Sequence, residues 1–429
     1  MILKLFKIDM IKPHLDKMRR RLFMAKKTKR KKWTKIRHRV ITELARLVMH
    51  PYTVLTYGVK VEKFKEQGDR NYLIVLNHQT VFDQFFVGMA FKGPIYYVAT
   101  EDIFSNGWIS KLLRFAIAPI PIKKQMTDVQ AVMNCARVAR EGGSIAVAPE
   151  GNRTYSGRTV YIKPSIVKLV RALKLPLVIF CIKDGYGVQP RWTDKIRRGK
   201  MQAGVTRVIE PEEYKNMTDD ELAAVIREGL YVDEAKISGT FFNKKLAEYL
   251  ERAVYVCPDC GLSRFESHKD IIQCKSCGKK VRYLPTKELR GEGFAFPFRF
   301  VADWYDYQCD FVNKLDVTAY VDKPMYEDRV DLFEVILYDR KHLLSKNVTM
   351  SLFGDRLEML LPDGEQMIFQ YDDLTVVTVL GRNKLNFYCG DKVYQIKGEK
   401  RFNALKYVNM FHRYKNMTGE SEDGEFLGL

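Results

Sequence analysis

The chain has 429 residues, 46% hydrophobic and 29% charged, a mix that excludes wholesale disorder and fibrous repeats and leaves room for roughly two to four domains. Its 72 Lys and Arg against 52 Asp and Glu give +20, which implies an acidic partner surface, either anionic lipid headgroups or nucleic acid. No run free of Asp, Glu, Lys and Arg exceeds thirteen residues (47–59), short of the roughly twenty apolar residues of a spanning helix, and charges interrupt every candidate apolar core of a secretory signal.

The positive charge is local. Residues 1–60 hold 18 Lys and Arg against Asp9, Asp16 and Glu43, which is 15 of the 20 net charges. Apolar residues from Ile2 to Met24 alternate with cations, and KKTKRKK follows at 26–32. This pattern predicts basic amphipathic helices over 1–60 lying in a membrane interface, broken at Pro13 and clamped by the polybasic run.

From residue 71 the texture becomes strand–turn–helix. Tyr72–Leu76, Ile95–Ala99, Ala116–Ile122, Ser144–Ala148 and Leu177–Ile182 read as strands, the third broken by prolines. Val81–Phe91 reads as a helix. A second helix runs from a Thr127 cap to Glu141 and Gly142-Gly143, and a third opens at the capping box Thr218-Asp-Asp-Glu221. The expectation is an α/β domain over 61–250 with a mostly parallel sheet, whose chemistry sits at the carboxyl ends of the strands.

Cys257-x2-Cys260 and, thirteen residues on, Cys274-x2-Cys277 form a double knuckle that aims four thiolates at one point. We expect a structural, closed Zn²⁺ site in a module over 251–290. Its thiolates call for a reducing compartment, and metal binding would supply its folding energy. Cys135, Cys181, Cys309 and Cys389 read as core fillers. A linker with a helix occupies 291–328, and a small β-rich domain with an LPDG turn (361–364) and one closing helix spans 329–416. The tail 417–429 is expected to be disordered.

Two constellations carry chemistry. The strand YLIVL runs into Asn77-His78-Gln79-Thr80-Val81-Phe82-Asp83, so a His stands at a strand end with an Asp five residues on. Asp83 would hold one ring nitrogen of His78 and leave the other to take a proton from a hydroxyl, a poor nucleophile without such a base. After the strand SIAVA comes Pro149-Glu150-Gly151-Asn152-Arg153-Thr154. Gly151 admits close backbone approach, Arg153 offers a fork suited to phosphate, and Glu150 is placed to orient that Arg or the acceptor.

Together the two motifs resemble the glycerolipid acyltransferases, typified by 1-acylglycerol-3-phosphate acyltransferase. NHQTVFD looks like their first block and PEGNRTYSG like their third. Ile120-Pro121-Ile122-Lys123-Lys124 falls at the second, and Leu175-Pro176-Leu177-Val178 at the fourth. The resemblance implies His78 as general base and Asp83 as its orienting partner. It further implies Lys124, Glu150, Gly151, Asn152 and Arg153 as residues that bind the acceptor. Lys124 takes the place of the second block's usual Arg and Asn152 that of a Thr in the third. Acyl would pass from acyl-CoA or acyl carrier protein to a lysophospholipid hydroxyl, with no catalytic cofactor, on an anionic bilayer at the cytoplasmic face as a peripheral or monotopic enzyme. The C-terminal β-rich stretch resembles PH or GRAM domains. Two other classes stay open at this point: a nucleic-acid-binding zinc-ribbon protein and a non-catalytic lipid-binding scaffold. The concentration of charge ahead of the α/β domain argues against nucleic acid, and the intact His78/Asp83 pair argues against a scaffold.

Overall fold

The computed structural model describes residues 32–123, 128–336, 339–419 and 424–429. The amphipathic stretch 1–24, nearly all of the run 26–32, Lys124 and the expected cap Thr127 lie outside the described residues. Helix α1 (Ile36–Tyr57) opens the described chain and ends at Gly58, whose φ is +60°. A Cβ on Gly58 would meet the Gly199 carbonyl oxygen at 2.0 Å, so both the left-handed turn and the close approach require glycine. No helix of the described residues is long and apolar enough to cross a membrane.

The α/β unit is built on seven strands: β1 (Val59–Val61), β2 (Leu73–Leu76), β3 (Ile95–Thr100), β4 (Ile120–Ile122), β5 (Ser144–Val147), β6 (Leu177–Lys183) and β7 (Met201–Ile209), in the order β1-β7-β6-β2-β5-β3-β4. Every neighbouring pair is parallel except β6 and β7. Five helices flank the sheet with α1: α2 (Asp83–Ala90), α3 (Trp108–Ala116), α4 (Val129–Arg140), α5 (Ser165–Leu173) and α6 (Asp219–Leu230). Strand β2 is apolar throughout because both of its faces are covered. Ile74 and Leu76 pack with Tyr57 of α1 and Phe86 of α2, whereas Leu73 and Val75 pack with Val138, Val170 and Ile226 of α4, α5 and α6.

Two local expectations change. The stretch 116–122 is not one strand: α3 runs to Ala116, Ala118 adopts φ +41°, and only Ile120–Ile122 pair with β3. The apolar positions 108, 109, 112, 115 and 116 follow a helical period, which outweighs the strand preference of Ile117. Asp128 caps α4, its carboxylate accepting from the Ala131 N–H at 3.0 Å.

The cysteine module contributes β8 (Val256–Cys257), β9 (Gly261–Leu262), β10 (Phe265–His268), β11 (Ile271–Cys274), β12 (Lys280–Tyr283) and β13 (Leu289–Gly291). Helix α7 (Val301–Lys314) leads to an antiparallel half-barrel of β14 (Tyr326–Ile336), β15 (Arg340–Leu352), β16 (Arg356–Leu360), β17 (Gln366–Gln370), β18 (Leu374–Leu380), β19 (Lys384–Cys389) and β20 (Lys392–Gly398), followed by α8 (Leu405–Met417). Its order is β17-β16-β15-β14-β20-β19-β18. The LPDG turn joins β16 to β17, with Gly364 N–H donating to Leu361 O at 3.0 Å. The expected disordered tail is corrected at its end: Leu427 is buried, Asn409 donates to its carbonyl at 2.7 Å, and the Phe426 ring lies against Tyr161 and His412. Three apolar residues in the last four thus find partners that their sequence neighbours do not reveal.

These units share one core. Tyr155 and Trp192 of the α/β unit are buried in a continuous cluster with Ile272, Val281 and Tyr283 of the cysteine module and Leu405, Tyr407 and Phe411 of the C-terminal helix. Two buried guanidiniums reinforce it. Arg197 donates to Tyr283 Oη (3.0 Å) and Leu246 O (2.6 Å), and Arg252 to Trp192 O (2.9 Å) and Lys400 O (2.6 Å).

Candidate active site

The carboxyl end of β2 delivers the chain into a turn that ends where α2 begins. Asn77 clamps the strand end, exchanging two hydrogen bonds with the Ile182 backbone of β6 at 2.7 and 2.8 Å. Asp83 is the first residue of α2 and is buried. Its Oδ2 lies 2.6 Å from His78 Nδ1 and accepts from the Gln79 N–H at 2.7 Å. Its Oδ1 accepts from the Thr80 N–H and hydroxyl at 2.8 and 2.7 Å. The helix N-terminus adds a favourable field for the charge. The His78 side chain keeps 29% of its surface open, and its Nε2 has no hydrogen-bond partner among the described residues.

Strand β5, the parallel neighbour of β2, brings the second motif alongside. Gly151, at φ +67°, reverses the chain, and its N–H closes a turn onto Ala148 O at 3.0 Å. This reversal sends Glu150 and Arg153 to different tasks. Glu150 does not pair with Arg153. Its two oxygens accept from the His78 N–H (2.8 Å) and the Val160 N–H (3.1 Å), tying the two motifs together through the backbone. Burial pushes its carboxyl up to about 8, against the lowering effect of those two donors.

Arg153 is only 7% exposed, yet its guanidinium donates no hydrogen bond to any described residue, and Nη1 is sealed from solvent without a partner. Burial, then the charges of Arg191 and Arg382, draw its pKa down to about 10. Asn152 is turned inward, its Oδ1 accepting from Arg191 Nη2 at 3.1 Å. The turn therefore leaves one exposed backbone position, Gly151, and one buried cation without a counter-ion. The Gln79 amide is likewise sealed and without partners. Lys124 lies outside the described residues, so its relation to Arg153 is not part of this geometry.

Sequence reasoning missed a third contributor, the loop after β6. Gln189 Oε1 accepts from the Val81 N–H and the Tyr57 hydroxyl, both at 3.3 Å. Arg191 donates to Arg153 O at 2.8 Å, and its guanidinium lies 4.3 Å over the Tyr155 ring. The signal was available in principle: Gln-Pro-Arg-Trp stands past the carboxyl end of a buried parallel strand, where ligand-facing groups collect.

The four module cysteines come together, their sulfurs all within 4.8 Å of one another, and Cys257 Sγ lies 3.9 Å from Cys277 Sγ. A tetrahedron with Zn–S bonds near 2.3 Å has edges of about 3.8 Å, so this set fits a four-thiolate metal ion.

The comparison with protein families bears on this site at the level of the domain. Residues 58–183, which span β1 to β6 and both motifs, match the family model described as Acyltransferase. No curated protein matches the chain. The solved structures it resembles include the 1-acyl-sn-glycerophosphate (LPA) acyltransferase PlsC from Thermotoga maritima, at 20% identity and a TM-score of 0.38, over 51% of this chain and 85% of that one. His78 and Arg153 both lie within the span that matches this family model.

The raised Glu150 pKa has a consequence for stability. The folded protein holds a proton there that the unfolded chain releases near the ordinary glutamate value of 4.5, so this contribution to stability is full below about 4.5 and declines as pH rises towards about 8. Glu150→Gln should flatten that decline by ~1 kcal/mol or more between pH 5 and pH 8 in urea unfolding. An unchanged pH dependence would place the titration elsewhere.

Proposed function

We propose that this protein transfers an acyl group from an acyl thioester, acyl-CoA or acyl carrier protein, to the hydroxyl of a lysophospholipid such as 1-acylglycerol-3-phosphate. The observation that carries the reading is the pairing, on adjacent strand ends, of a histidine held by a buried carboxylate with a buried arginine that lacks an anion. His78 Nε2 removes the acceptor's hydroxyl proton as the oxygen attacks the thioester carbonyl, and Asp83 stabilises the imidazolium. The tetrahedral intermediate collapses with loss of the C–S bond, and the imidazolium returns the proton to the thiolate. Arg153 binds the acceptor phosphate through its planar fork, and Arg191 holds the turn that carries it by donating to Arg153 O and Asn152 Oδ1. No catalytic cofactor enters this sequence.

The reading extends to the bilayer that contains such an acceptor. Ile36, Val40, Leu44, Leu47 and Leu55 recur at helical spacing along α1, all at least half exposed, with Leu55 at 85%. Beside them α3 exposes Trp108, Ile109, Leu112 and Phe115, and Arg37 lies 4.1 Å over the Phe115 ring. An apolar face of this kind, rimmed by cations and following the basic N-terminal stretch, suits a peripheral or monotopic seat on an anionic cytoplasmic leaflet. The same proposal gives the four module thiolates a structural Zn²⁺ and reads the half-barrel as PH- or GRAM-like, supported by its strand order and closing helix.

His78→Ala should lower acyl transfer to 1-acylglycerol-3-phosphate by about 10³-fold or more while circular dichroism and vesicle binding stay as in the parent. Retained turnover would remove His78 from the mechanism. Replacing Leu44 and Leu55 together by Asp should shift the protein from the pellet to the supernatant in sedimentation with anionic vesicles, leaving its melting curve intact; persistent pelleting would rule this face out as the seat. Metal analysis of the purified full chain should find about one Zn per molecule, and chelation should lower the melting temperature. A metal-free protein with the same melting temperature would remove zinc from the account.

A further inference from the structure

We propose that Arg382, carried on a hairpin turn of the C-terminal half-barrel, is a second cation of the acceptor-phosphate pocket, so that the pocket is completed by a domain other than the acyltransferase domain. The proposal rests on the reading of His78 and Arg153 given above. Its geometry starts from the 189–194 loop, which touches the catalytic turn at one end through Gln189 and Arg191. At its other end Asp194 accepts from Arg382 Nη1 at 3.1 Å. Arg382 stands between β18 and β19 in a turn where Gly381 takes φ +61°, and Asn383 anchors the turn by donating to Gly398 O at 2.8 Å. A point on the half-barrel is thereby held over the loop that backs Arg153.

The guanidiniums at this junction outnumber the carboxylates that pair with them. Asp194 also accepts from Arg252 Nη1 at 2.7 Å, so one carboxylate serves two guanidiniums. Arg153 and Arg191 have no carboxylate within 4.0 Å among the described residues, and both are buried. Glu150, whose carboxyl holds its proton up to about 8, offers little compensation near neutral pH. The Arg382 charge adds to the lowering of the Arg153 pKa, against the opposite effect of the Asp83 carboxylate. Buried cations without counter-ions are costly, and an arriving phosphate dianion removes that cost. The Arg382 side chain remains 30% open and uses one of its donors on Asp194, so it can turn further donors to an anion.

The test uses the full chain with two independent readouts: acyl transfer to 1-acylglycerol-3-phosphate, and binding of sn-glycerol 3-phosphate followed by calorimetry. Arg382→Gln should raise the acceptor KM and weaken the glycerol 3-phosphate Kd about tenfold each, with kcat and the acyl-donor KM unchanged, and Arg382→Lys should recover part of the loss. Asp194→Asn separates this role from a merely structural one. It releases Arg382 from its internal partner, so glycerol 3-phosphate affinity should hold or tighten. If Asp194→Asn reproduces the loss, or if Arg382→Gln leaves the Kd unchanged, the proposal is overturned. It is also overturned if the parent protein fails to bind glycerol 3-phosphate. A parent protein that binds glycerol 3-phosphate in an Arg382-dependent way yet transfers no acyl group would sink the enzymatic reading and leave this site standing.

Discussion

The carboxylate of Asp83 is the fixed point of the molecule's chemistry. A buried charge is tolerated only when its lone pairs are taken up, and here four hydrogen bonds reach the two oxygens, from His78, from Gln79 and twice from Thr80. All four donors belong to the turn between β2 and α2. The charge that orients the imidazole therefore also shapes the loop that carries it. Because Asp83 opens α2, the helix field and the turn act on the same atoms. The ring cannot rotate away without costing Oδ2 one of its donors, so the imidazole is held in this orientation.

The neighbouring turn follows the opposite logic. Glu150 finds two backbone donors and is spent on structure, coupling the end of β2 to the end of β5. The Arg153 guanidinium, three residues on, finds no acceptor among the described residues. Gly151 makes the division possible, because its positive φ turns the chain between the two side chains. Had the acid and the guanidinium paired with each other, as Glu–Arg neighbours on a surface turn commonly do, the fork would have been occupied. The structure keeps them apart, and the unsatisfied half of the pair is the half with an affinity for phosphate.

Much of this was legible in the sequence because it is local. Strands bounded by His78 and Pro149 show as short apolar runs, and an Asp five residues after a strand-end His lies within reach across one turn. The cysteine spacing is equally local, and the four sulfurs do converge. What was not legible depends on distance along the chain. Arg191 meets Asn152 across 39 residues, and Arg382 meets Asp194 across 188. Neither arginine sits in a motif, and a lone Arg in an irregular segment reads as a solvated charge. The role of Glu150 was half visible: its proximity to Arg153 suggested a pair, whereas its oxygens take one backbone donor from the turn after β2, 72 residues away, and one from Val160. Trp108–Ala116 was missed because Pro119 and Pro121 drew attention to a broken strand, while the helical period just before them went uncounted.

The continuity of the core bears on how the parts act together. Trp192 of the site loop packs against the cysteine module, edge-on to Tyr283, with Arg197 stacked over both rings. Arg252 reaches from the end of the α/β unit to Trp192 O, to Asp194 and to Lys400 O of the half-barrel. The Nη donors of these buried guanidiniums find their acceptors only when all the parts are docked; separating any one would leave donors stranded away from water. The 189–194 loop is therefore ordered by the cysteine module and the half-barrel as much as by the sheet from which it emerges. Since that same loop supports the carbonyl of Arg153, the geometry of the turn that carries Arg153 depends on units that lie outside the 58–183 span carrying the acyltransferase match.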